Sequence, residues 1–211
     1  MSSNPNLTLS GPDLAALLCS RVCHDIISPV GAINNGLELL DEGGADDDAM
    51  DLIRTSAHNA SVRLKFARLA FGASGSVGAS IDTGEAEKAV MDFASADNKT
   101  EIDWQGSRAI IAKNKVKLLL NLFLVAYGSI PRGGAISIIL EDLETAPKFT
   151  LKATGKMVRV PPKFLEIHSG ESSEPIDAHS IQPYYTVLLA EAAGMTINTT
   201  AGADEVVFAA A

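Results

Sequence analysis

Two apolar seams, each with spacings that alternate three and four, constrain this chain more than any other feature. The first runs through Ala16, Cys19, Cys23, Ile26, Val30, Ile33, Leu37 and Leu40. The second runs through Met50, Ile53, Ala57, Ala60, Leu64, Ala67 and Phe71. This is the heptad pattern of helices that associate along one stripe. Ser10-Gly11-Pro12-Asp13 supplies a cap, a proline in the first turn and an acid three residues after the cap. Asp41-Glu42-Gly43-Gly44 ends the first helix, and Asp46-Asp47-Asp48 opens the second, where negative charge suits the helix dipole. The pattern predicts an antiparallel helical hairpin. A hairpin with a seam on both arms cannot bury them alone. Pairing two hairpins about a two-fold axis gives a four-helix bundle, so a homodimer is expected.

The pattern changes after residue 74. Gly72 to Ser80 is a low-bulk connector. It divides the chain into a hairpin over 10–74, a linker over 75–80 and a second domain over 81–211. In the second domain helices are expected over 85–96, 113–129 and 183–193. Strands are expected over 101–105, 135–140, 148–153, 196–200 and 205–208. Helices and strands segregate into an α/β sandwich of one sheet and one helical layer. The fold class is α + α/β.

The 211 residues suffice for one domain or two small ones. A net charge of −9 repels a phosphate backbone, so nucleic acid is not an expected partner. The start of the chain has neither a basic n-region nor an apolar core, and is not expected to be a signal peptide. The longest apolar stretch, Lys117 to Val125, is too short to cross a bilayer. The chain reads as cytoplasmic, with no membrane partner. Cys19 and Cys23 lie four apart on one helix and read as small seam residues. With no second pair of ligands, Cys19, Cys23 and His24 do not make a zinc site, and no metal is expected.

His24 follows a seam position and is expected on the flank of the bundle. Pro29 sits five residues later, inside the helical pattern, where its ring conflicts with the Asp25 carbonyl and a loosened helix is expected. Neutral imidazole is a nucleophile near neutral pH and can attack an acyl phosphate to form a phosphoramidate. Asp25 is placed to orient or deprotonate the ring, or merely to solvate the helix. Arg21 and Ser28 lie one turn before and after His24, and Arg21 is a candidate to steady phosphoryl oxygens. His58, His168 and His179 are read as surface histidines without a role.

Residues 24–29, His-Asp-Ile-Ile-Ser-Pro, resemble the phosphoacceptor box of dimeric sensor histidine kinases. The second domain resembles the kinase ATP-binding domain with its binding residues missing. Leu119-Leu120-Asn121-Leu122-Phe123 resembles the start of the N box, but Val125 aligns with the magnesium-binding asparagine. The Asp-x-Gly-x-Gly box appears as Ala153-Thr154-Gly155-Lys156-Met157, which lacks the aspartate that reads adenine. Ser180-Ile181-Gln182-Pro183 aligns with the phosphate loop and has no glycine, whereas Glu191-Ala-Ala-Gly194 still resembles the segment beyond the Asp-x-Gly-x-Gly box. A kinase scaffold without kinase chemistry, with Cys23 to Pro29 as its box and Phe71-Gly72-Ala73 closing the hairpin, is similar to the ChpT-type histidine phosphotransferases of alphaproteobacteria. The resemblance spans nearly the whole chain and is densest over residues 11–74.

That resemblance implies a histidine phosphotransferase in a multistep phosphorelay. The phosphorylated receiver domain of a hybrid histidine kinase would donate to His24. His24 would pass the group to response-regulator receiver domains that control the cell cycle. No ATP is implied, and the receiver would bring its own magnesium ion. A receiver has to meet the bundle around His24, where Ser20, Ile27, Ser28 and Gly31 share a face. Ile27 beside Gly31 reads either as a flat apolar contact or as bundle packing. Arg54, Arg63, Lys65 and Arg68 either complement an acidic receiver site or form a solvated helix face. Leu17 fits either role. Two other classes stay open: a pseudokinase adaptor that binds receivers without accepting phosphate, and an ATP-dependent histidine kinase.

Overall fold

The computed structural model describes residues 9–42, 47–72, 79–172 and 174–211. The expected Gly43-Gly44 turn, Asp46 and most of the connector lie outside the described residues. Helix α1 covers Gly11–Asp41 and α2 covers Asp47–Ala70. The Ser10 side chain caps α1, accepting from the Asp13 amide at 3.3 Å. Asp47 and Asp48 fill the first turn of α2. The α1 helix continues through Pro29.

The hairpin closes on small residues. Gly36 is the buried residue of α1, and a Cβ there would meet Ile53 Cγ1 at 2.6 Å and the Ala49 carbonyl at 3.3 Å. Ala49, Ser56 and Ala60 continue the contact face of α2. Most of the expected seams therefore point elsewhere. Cys19, Cys23, Val30, Leu37, Met50, Ala57 and Leu64 are exposed on the single chain, Leu37 to 48% and Leu64 to 49%. A second face of α2, Val62, Phe66, Leu69 and Ala70, is buried instead. The heptad spacing does not reveal this face. Phe66 stacks its ring 4.7 Å from Phe93 and 5.7 Å from Phe123, across to the second domain.

One expectation needs correction. An 18-residue window of α1 reaches a mean hydropathy of 1.3, so by length and composition this helix is apolar enough to cross a membrane. Arg21, Asp25 and an exposed His24 sit mid-helix, and such groups are costly in lipid. The apolarity belongs to seams distributed around a long hairpin arm.

The second domain opens with strand β1 (Ser80–Asp82), helix α3 (Thr83–Ser95), and strands β2 (Thr100–Gln105) and β3 (Ile110–Ala112). Helix α4 (Lys113–Gly128) is followed by β4 (Gly134–Glu141) and β5 (Lys148–Thr154). Helices α5 (Pro162–Ser169) and α6 (Ile181–Ala193) precede β6 (Ile197–Ala201) and β7 (Glu205–Ala210). A five-stranded sheet has the order β2-β4-β5-β7-β6, with β2 and β4 parallel and the other pairs antiparallel. Strands β1 and β3 form a separate two-stranded ribbon.

Alternate residues of the sheet face one core: Ile136, Ile138 and Leu140, then Phe149, Leu151 and Ala153, then Val206, Phe208 and Ala210. They meet Ala86 and Val90 of α3, the apolar run of α4, and Leu189 and Ala190 of α6. The main sheet with its helical layer is as expected, whereas the separate β1–β3 ribbon makes a second, small sheet beyond the one expected. The expected helices and strands recur within a few residues of their ends. Strands β1 and β3 and helix α5 are additions. Three-residue strands carry too little periodicity to read.

Candidate functional site

The site begins on α1, where residues 21, 24, 25 and 28 share one face. The Arg21 Nε donates to Asp25 Oδ2 at 3.0 Å. The other carboxylate oxygen, Asp25 Oδ1, lies 3.4 Å from His24 Nδ1. A carboxylate only accepts, so this long contact is a hydrogen bond in the tautomer that carries the ring hydrogen on Nδ1. Arg21 thus acts on Asp25, and Asp25 on the ring. The His24 side chain is 71% exposed, as expected for a position off the seam.

Beside His24 lies a cleft of about 350 Å³ between the two arms of the hairpin. His24, Asp25, Ser28, Pro29 and Ala32 line it from α1, and Ser56, Asn59 and Arg63 from α2. Arg63 therefore joins His24 across the hairpin, with its Cζ 5.5 Å from the centre of the Phe93 ring. Exposed Lys65 does not line this cleft. Ile27 is 71% exposed, Ser20 is exposed, and a Cβ on Gly31 would meet nothing within 4 Å. These three form an open surface next to the histidine. Leu17, two turns before His24 on α1, is half-buried and not open. With Leu9, Leu14 and Leu18 it covers Ile167, Ile181 and Tyr184, so it joins α1 to the second domain.

Two of the histidines read as without a role stay away from this site. His58 is exposed on α2, and His168 Nε2 lies 2.9 Å from the Ile197 carbonyl. His179 does not stay away. Its ring stands edge-on to His24, with centroids 6.0 Å apart and planes at 77°. A turn before α6 presents it. The Asp177 carboxylate accepts from the His179 amide at 3.0 Å, the Ser180 amide at 2.8 Å and the Ser180 hydroxyl at 2.6 Å. Hydrogen bonds from the Ser180 side chain and backbone hold the Asp177 carboxyl below the usual carboxylate range. No local pattern at residues 177–180 predicts that this turn meets residue 24. Asn59 was also missed, although it lies one turn before Arg63.

The positions that resemble a nucleotide site are used differently. The buried Asn121 side chain donates to the Ala70 carbonyl at 3.2 Å and the Lys117 carbonyl at 2.9 Å. Gln182 Nε2 donates to the Asn121 carbonyl at 3.0 Å and to Thr186 Oγ1 at 3.0 Å. Lys117 Nζ donates to the Phe71 carbonyl at 3.3 Å, and burial lowers its pKa, with the Lys113 charge adding to the effect. Asn121 and Lys117 thus satisfy carbonyls left over at the end of α2. Val125 is buried, and Ile181 and Gln182 begin α6 with their side chains buried.

A family model for the histidine phosphotransferase C-terminal domain matches residues 83–205. The chain is 61% identical to the protein phosphotransferase ChpT of Brucella abortus strain 2308, over 97% of this chain and 98% of that one. A solved bacterial phosphotransferase superimposes with a TM-score of 0.92 at 60% identity, covering 97% of this chain and 98% of the other.

Proposed function

The chain belongs to the histidine phosphotransferase family and is a protein phosphotransferase, and from that premise we propose that His24 is its phosphoacceptor in a multistep phosphorelay. The observation that carries this is the exposed His24 imidazole, with Nδ1 directed at Asp25 and an open face of Ser20, Ile27 and Gly31 beside it. In this reading the donor is the aspartyl phosphate of a hybrid-kinase receiver domain. The His24 Nε2 lone pair attacks phosphorus, the bond from phosphorus to the aspartyl oxygen breaks, and a free carboxylate leaves. The new bond joins phosphorus to Nε2. The proton on Nδ1 stays, and Asp25 offsets the positive charge the ring gains. Passing the group to a response-regulator aspartate reverses these steps. The chemistry needs mainly positioning and charge stabilisation. Arg63, in the cleft beside the ring, is suited to the phosphoryl oxygens.

The same reading takes the exposed seams as the contact of a homodimer, completing a four-helix bundle. It assigns no ATP to the protein and leaves magnesium to the receiver. The capping role of Asn121, the buried start of α6 and Val125 support that assignment. The acceptors are cell-cycle response regulators, and the setting is the cytoplasm.

The test is a radiolabelled transfer assay. Purified protein is given ATP alone, or a phosphorylated hybrid-kinase receiver, with His24→Ala alongside. Label from the receiver only, and none on His24→Ala, is the expected result. Label from ATP alone restores a kinase, and no label from either source leaves an adaptor.

A further inference from the structure

The C-terminal domain brings a second imidazole to the phosphoacceptor. We propose that His179 is a phosphoryl-contacting residue, donating a ring N–H to an oxygen of the phosphoryl group carried by His24. The inference rests on His24 being the phosphoacceptor. It adds a residue from the other domain, and with it a chemical role for that domain in the transfer.

Three observations carry it. The His24 and His179 rings are 6.0 Å apart between centroids and edge-on, within the range of interacting rings. Both are exposed, so a group added to Nε2 and the hydrogen-bonding edge of His179 share the same solvent-facing space. The turn that holds His179 is fixed independently of the site. Asp177 accepts three hydrogen bonds from residues 179 and 180, its own amide donates to Ser180 Oγ at 2.8 Å, and the Ile181 amide donates to the Asp177 carbonyl at 2.9 Å. A backbone tied this closely positions a side chain at little cost in lost freedom.

The geometry divides the labour at His24. Asp25 engages Nδ1 from within α1, whereas His179 approaches from outside the hairpin. A phosphoryl group has three outer oxygens, and a neutral imidazole offers one N–H to them. Hydrogen bonds to an anionic oxygen are the stronger kind, so this contact slows loss of the group to water.

The test loads full-length protein with phosphoramidate, a small donor that needs no receiver. It follows phosphohistidine by 31P NMR and by its decay, with His24→Ala as the blank. His179→Phe keeps a ring edge-on to His24 but removes both nitrogens. It is expected to move the phosphohistidine resonance and to shorten its lifetime about tenfold, the scale of one charge-assisted hydrogen bond. His179→Gln, which restores an N–H, is expected to recover most of the lifetime. An unchanged resonance and lifetime in His179→Phe overturns this inference and leaves the phosphoacceptor reading standing. No phosphohistidine in the folded, unsubstituted protein overturns both.

Discussion

The first helix and the fourth have similar apolar content and opposite fates. Over 31 residues, α1 buries one, Gly36, within the single chain. In 16 residues α4 buries ten, including Leu118, Leu119, Leu120, Leu122 and Phe123. The difference is in what surrounds them. α4 lies between the sheet, α3 and α6 and has its partners in its own chain. α1 has α2 along one face and Leu14, Leu17 and Leu18 against the second domain, which leaves a seam open. An apolar pattern therefore states a demand for burial, and topology decides whether the same molecule supplies it. The hairpin is the part whose apolar surface is left facing outward within one chain.

The comparison breaks first at the seam. Leu37→Glu with Leu64→Glu is expected to convert a dimer to a monomer by light scattering while the helical circular dichroism persists. A dimer of unchanged mass would remove the assigned role of the seam. Within one chain the larger effect lies where α2 meets the second domain. Phe66→Ala deletes a ring held between Phe93 and Phe123 and is expected to cost about 3–5 kcal/mol in chemical denaturation. Asn121→Ala leaves the Ala70 carbonyl without its buried donor and is expected to cost about 1–3 kcal/mol by the same measurement. If Asn121 served a nucleotide instead, the substitution would leave stability near that of the unsubstituted protein.

The smallest effect is at the turn that presents His179. The Asp177 carboxyl is depressed in the folded protein, so its contribution is present above the unfolded value of about 4. That contribution is lost as pH falls through the folded value. Asp177→Asn is expected to flatten the fall in stability over this acidic window. An identical pH profile for the two proteins would mean that the turn is held by other groups.

The hairpin arms, the α1 cap at Ser10 and the main sheet with its helical layer were legible because each rests on local periodicity or on a fixed offset. His24, Asp25, Arg21 and Ser28 were legible for the same reason, since four residues on one helical face are neighbours wherever the helix lies. Strands β1 and β3 are three residues each and leave no period to detect. Phe66 and Leu69 fall outside the heptad stripe, and their burial depends on a domain that begins more than ten residues later. Lys65 and Arg63 look equivalent in a list of basic residues. Two positions around a helix send one into the cleft and the other to solvent.

What the sequence by itself determined is therefore the set of relations carried by one helix or one strand: the seams, the cap, and the run from His24 to Pro29 with its flanking charges. Only the tertiary structure decided what crosses between elements. It brought Arg63 and Asn59 to His24, turned Asn121 and Lys117 onto the end of α2, and set His179 beside His24 across 155 positions of chain. Helical and strand periods fix which neighbours a side chain has on its own element. Which residues meet across elements depends on how those elements pack together, and no local pattern carries that.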